Sequence, residues 1–175
     1  GYRQLDAPRR AIVDRTAAAF RRQLDKLVAV GARHDLLHEL ERTTDAEARA
    51  TLRGRRTFDG RVWDDVRGVG GMQAATGIEA LDDAAAFGFD TFAHEVAHQV
   101  HFYTFTPLQR ARIRSLYQQA MTENRCLDYY AASNEAEYFG QGVEAFVSLA
   151  KRPGGETTHG HTRFELLRLD PDLHD

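Results

Sequence analysis

Residues 92 to 102, FAHEVAHQVHF, leave this chain little choice about where they can go. Read as a helix from about residue 90 to 102, they turn Phe92, Val96, Val100 and Tyr103 to one side and His94, His98 and His101 to the other, because successive residues step by about 100°. A surface helix carries scattered charge on its outer face. This one carries a row of imidazoles with Glu95 beside it, so both faces need a partner and the helix belongs inside the molecule.

The polar face has a chemical reading. His94-Glu95-x-x-His98 places two imidazoles one turn apart on one side of a helix, close enough to share a Zn2+ ion, and leaves Glu95 beside the metal rather than on it. There its carboxylate can take a proton from a metal-bound water and pass it to a leaving amine, which is peptide hydrolysis chemistry. Cys126, the only cysteine, can neither close an internal disulfide nor build a thiolate cluster, so any metal here must use His and carboxylate ligands. A third ligand is needed, and several residues compete for the place. His101 shares the face of His94 and His98, but three ligands from one straight helix cannot surround a tetrahedral ion. His159 and His161, in GGETTHGHTR, form a His-x-His in a Gly-rich stretch. Residues 129 to 151, YYAASNEAEYFGQGVEAFVSLAK, are the better source. A helix beginning at Asn134 brings Glu137, Gln141 and Glu144 to one side, opposite Tyr138 or Phe139, Val143, Phe146 and Ala150. Asn134 with Glu137 three residues on also has the pattern of a capping box, in which Glu137 would serve only the helix backbone.

At this point the chain resembles a known family, the lethal factor type of zinc metallopeptidase domain and the related bacterial titration-factor peptidases, both gluzincins. Their pattern is His-Glu-x-x-His, a helical spacer, a Tyr, and seven residues later a Glu followed by two aromatics. Here it is matched by His94, Glu95 and His98, the spacer TPLQRARIRSLYQQAMTEN, then Tyr130, Glu137, Tyr138 and Phe139. The resemblance covers roughly residues 88 to 150. It implies that Glu137 completes the zinc site and that Tyr130 assists catalysis, donating a hydrogen bond to the developing oxyanion. It also aligns Glu144 with an acid typical of the titration-factor type. Seven residues from Glu137, Glu144 lies about 10.5 Å further along the helix, so it and Gln141 belong behind the ligands rather than on the ion. The lethal factor likeness favours a secreted or cell-envelope location over a cytoplasmic one.

Elsewhere the pattern is plainer. Residues 7 to 30 have helical spacing at Ile12, Ala17, Phe20, Leu24 and Leu27, with Asp6 as a cap, and the end, Leu27 to Val30, fits either a short strand or a helix stopping at Gly31. Asp59-Gly60 between Thr57-Phe58 and Val62-Trp63 signals a β-hairpin. Gly68, Gly70 and Gly71 follow no buried strand and read as a flexible loop, not a dinucleotide fingerprint. GMQAATGIEALDD, residues 71 to 83, is the segment expected to offer an edge strand to an extended substrate.

With 175 residues, 42% hydrophobic and 28% charged, the chain is expected to form one domain over 1–175, an α+β zincin-like metallopeptidase fold, mostly helical with a small twisted sheet. A net charge of -3, with arginines scattered among acids, argues against nucleic acid as a partner, and no apolar run is long enough for a membrane span. The opening GYRQLDAPRR has no apolar core of a signal peptide. The expected activity is zinc-dependent endopeptidase on a peptide or protein substrate. The competing reading is a zincin-fold binding or regulatory module with little turnover, against which Glu95 argues, since a purely structural site needs no base.

Overall fold

The structure is a computed structural model that describes residues 1–87, 89–151 and 160–175. The chain opens with α1 (Ala7–Ala19), whose cap is the Asp6 carboxylate accepting from Arg9 N at 3.0 Å. The expected single long helix is broken at Phe20, which leaves helical backbone angles and packs toward the core, and α2 (Arg21–Ala29) follows. Of the two readings of Leu27 to Val30, the helix holds: α2 ends at Gly31, whose φ of 77° closes it.

A three-stranded sheet comes next. Strand β1 (Arg33–Leu37) runs parallel to β3 (Gln73–Gly77), and β2 (Gly68–Val69) lies antiparallel on the other side of β3, giving the order β1-β3-β2. Two expectations change here. The segment 71 to 83 is not an edge: it supplies the central strand and then α3 (Glu79–Phe87), because Ala74, Ala75 and Thr76 are small enough to be wholly buried between neighbours. The edges are β1 and β2, and β2 takes up Gly68, one of the three glycines expected to be a loop, while Gly70 and Gly71 remain outside any strand. The Asp59-Gly60 turn does form, but its arms join through a single bridge, Arg56 with Val62, rather than through paired strands. Arg49, almost fully buried, ties the intervening segment to the sheet through Thr43 O, Gln73 O and the Asp35 carboxylate.

Helix α4 (Thr91–Tyr103) carries the histidine row, and every residue from 92 to 101 is buried. Its apolar side, Phe92, Val96 and Val100, enters a core with Leu5, Ile12, Leu27, Ile78 and Leu81 from the amino-terminal half. Its other side meets α6 (Glu135–Val147), which is backed by α5 (Pro107–Glu123) through Leu116, Ala120 and Tyr138. The chain finishes with α7 (Arg163–Leu169) and α8 (Pro171–His174), tied to α6 by the Tyr138 hydroxyl donating to Asp170 at 2.6 Å. The fold is thus the expected α+β, mostly helical, with α4 between two cores. No helix among the described residues is long and apolar enough to cross a membrane.

Candidate metal centre

Two helix starts aim the site. Asp90, wholly buried, caps α4 by accepting from Ala93 N at 2.9 Å while Arg15 neutralises its other oxygen at 3.1 Å. Asn134 caps α6 by accepting from Ala136 N and Glu137 N, each at 3.0 Å. The reciprocal half of the expected capping box is absent. Glu137 turns its carboxylate away from the Asn134 backbone and across to α4, where Oε2 lies 3.1 Å from His94 Nε2 and 3.4 Å from His98 Nε2. The helices approach this closely because residue 140 has no side chain: a Cβ on Gly140 would sit 2.8 Å from the His94 ring. The second glycine has a different purpose. A Cβ on Gly142 would strike Leu173 of α8 at 2.6 Å, so Gly142 admits the carboxyl-terminal helix rather than α4.

One ligand atom each from His94, His98 and Glu137 lies within 4.8 Å of the others, with the two rings edge to face at 4.6 Å between centroids. Two imidazoles and one carboxylate from two different helices are the donor types of a metal site with an open position, so the residues fit such an ion. Behind this group, Glu144 Oε2 lies 3.3 Å from His94 Nδ1, and Gln141 is buried alongside. Burial opposes a charge on His94, yet Glu137 and Glu144 on its two nitrogens push its pKa up to about 10. Burial likewise works against ionised Glu137, but the two imidazoles bring it down to about 2. Each charge therefore favours the other: the carboxylates favour a protonated His94, and the imidazoles favour an ionised Glu137.

Glu95 stands beside the group. It is buried, its Oε2 has no hydrogen-bond partner, and burial raises its pKa, with Glu137 and Glu144 adding to the rise while His94 and His98 oppose it. Strand β2 lies directly over it: a Cβ on Gly68 would sit 2.6 Å from Glu95 Oε1, and one on Gly70 2.9 Å from His98 Cβ. The glycines are there for close contact, not flexibility.

Tyr130 faces the same space, with its ring centroid 6.4 Å from that of His94. Burial and the Glu137 charge raise its pKa, so the hydroxyl keeps its proton, and Arg61 hydrogen-bonds it. Phe58 packs on its ring at 5.5 Å. Phe58 and Arg61 belong to the Asp59-Gly60 turn, which was legible as a turn but gave no sign of reaching the site. With Trp63, Val69 and Phe89 they line a cleft of about 730 Å³ that opens onto the histidines. The remaining histidine candidates lie apart. His101 is buried among Phe102, Phe105 and Phe139 with its Nε2 3.2 Å from Glu135 Oε1, and His161 is 3.0 Å from Asp128. Neither belongs to the three-residue group, and His159 lies outside the described residues.

The chain superposes on the structure of a Pro-Pro endopeptidase from Paenibacillus alvei with a TM-score of 0.58 and 19% sequence identity, over 92% of this chain and 88% of that one. At that identity the likeness is one of fold. No protein-family model and no curated protein sequence matches the chain.

Proposed function

We propose that the chain is a zinc-dependent endopeptidase of the gluzincin type, with His94, His98 and Glu137 as metal ligands, Glu95 as general base and Tyr130 as oxyanion donor. One observation carries the reading: Glu137 reaches across from a second helix to both imidazoles while a buried carboxylate with a free oxygen stands beside them. The fold shared with an endopeptidase supports it.

A zinc ion held by these residues would supply a Lewis acid that polarises the scissile carbonyl and makes water more acidic. The chain's own groups do the rest. Glu95, its basicity raised by burial, takes a proton from the attacking water and delivers it to the amide nitrogen as the C–N bond breaks. The Tyr130 hydroxyl, kept protonated, donates to the carbonyl oxygen as charge develops there. Glu144 fixes the orientation of the His94 ring through Nδ1. A peptide lying extended in the cleft would run along the outer edge of β2, directly above Glu95. The reading is tested by incubating zinc-loaded protein with a mixed peptide library and mapping products by mass spectrometry. Internal cleavage that a chelator abolishes and zinc restores is expected; no cleavage by fully loaded protein would sink it.

A further inference from the structure

Tyr130 sits on no regular helix or strand. It precedes a single 3-10 turn, Ala131–Ser133; Arg61 and Phe58 touch its side chain, but its backbone is only as well placed as the contacts that hold the turn. Four contacts are local or lie on α5: Ser133 N and Oγ donate to Tyr130 O at 3.0 and 2.7 Å, Ala132 N donates to Asp128 O at 3.1 Å, and the Tyr117 hydroxyl donates to Ala132 O at 2.9 Å. The fifth is of another kind. Asp128 Oδ1 accepts from Ala131 N, the amide next to Tyr130, at 2.7 Å, and its Oδ2 lies 3.0 Å from His161 Nε2. Both side chains are buried, at 4% and 7% exposure.

His161 comes from a distant part of the chain whose own position is fixed. Thr162 caps α7 by accepting from Glu165 N, and Arg163 N donates to Ser148 O at the end of α6. The imidazole therefore connects the carboxyl-terminal helices to the turn that carries Tyr130. A buried carboxylate left without one of its two donors pays a desolvation penalty and finds another rotamer, and here that rotation would release the Ala131 amide as well.

We propose that His161, acting through Asp128, is a positioning residue for the Tyr130 hydroxyl. This rests on the endopeptidase reading for its effect on turnover, but the mechanical link is independent of it. In zinc-loaded protein, His161→Ala is expected to lower kcat on a library-derived peptide by about 10–100-fold, with KM and zinc affinity little changed. In a Tyr130→Phe background the same substitution is expected to cost nothing further, because the group it positions is gone. His161→Gln, which can again offer an N–H to Asp128, is expected to recover most of the loss. Hydrogen exchange gives a readout without activity: peptides covering residues 128 to 133 are expected to exchange at least about 10-fold faster in His161→Ala, with α4 unchanged. If His161→Ala does not fold, His161→Asn, too short to reach Asp128, takes its place. Losses that multiply with those of Tyr130→Phe, or an unaltered exchange rate in the turn, overturn the proposal. If the wild type cleaves nothing, the endopeptidase reading fails, and the exchange comparison alone decides whether the pair holds the turn.

Discussion

Replacing Glu95 by Gln removes a charge and a base but preserves the shape of a side chain wedged between β2 and the histidines, so zinc content and folding are expected to survive. Peptide hydrolysis should fall by about 10²–10⁴, measured as kcat/KM against metal-loaded wild type; loss of zinc instead would mean that Glu95 is a ligand. The companion test separates the ligand candidates. Glu137→Ala is expected to weaken zinc binding, titrated against a competing chelator, by far more than the 10–100-fold typical of a residue behind the ligands, whereas His101→Ala, which loses only contacts to Glu135 and three aromatic rings, should stay below that range. At this scale the sequence was ambiguous for a physical reason. A glutamate three residues after Asn134 can satisfy the helix backbone or reach outward, and nothing local decides between them. The choice is made by the two imidazoles on α4, more than thirty residues away.

Among elements, α4 and α6 were readable because a 3.6-residue period exposes a two-faced helix wherever it occurs. The sheet was not, since β3 is made of Gln, Ala, Ala, Thr and Gly, whose burial comes from their neighbours and leaves no alternation to detect. The glycine of α6 makes a prediction at this level. Gly140→Ala would ordinarily favour a helix by about 1 kcal/mol, but here the new methyl meets the His94 ring at 2.8 Å. The variant is expected to bind zinc at least about 10-fold more weakly, in the same chelator titration, while its thermal unfolding is not raised. The seam between the sheet and α4 should be sensitive to acid. Gln99 Nε2 donates to Arg33 O and Gly71 O at 2.9 Å each, which turns its Oε1 toward His34 Nδ1 at 3.3 Å, and His34 Nε2 meets Thr76 Oγ1 at 2.9 Å. Burial depresses the His34 pKa to about 4, with Arg49 in the same direction and Gln99 and Asp35 against it. The folded state keeps this ring neutral while the unfolded chain takes up a proton below about 6.5, so its contribution is complete above that pH and is lost as pH falls toward 4. The loss is expected to reach no more than about 3 kcal/mol, read from denaturant unfolding of metal-free protein, and His34→Gln should flatten that part of the profile.

At the scale of the molecule, α4 lies between the amino-terminal core and the α5–α6 layer, and a metal shared by α4 and α6 would join the two. Zinc is therefore expected to raise the stability of the whole fold, by about 2.7 kcal/mol at a free concentration 100 times Kd and about 4.1 at 1,000 times, with the midpoint of unfolding falling to the metal-free value on chelation. A midpoint indifferent to zinc would show that the three ligand candidates do not bind it in the folded state. The burial of α4 from residue 92 to 101 also bears on how this chain can change over generations. A substitution on one side disturbs packing and on the other disturbs the histidine group, so both sides are closed to drift. Helix α5 buries only Leu116 and Ala120 of its 17 residues and is open to it. Descendants of a common ancestor would then keep a short stretch around His94 and a few positions of α6 while the remainder became unrecognisable, and kinship would survive in shape after it had faded from the letters.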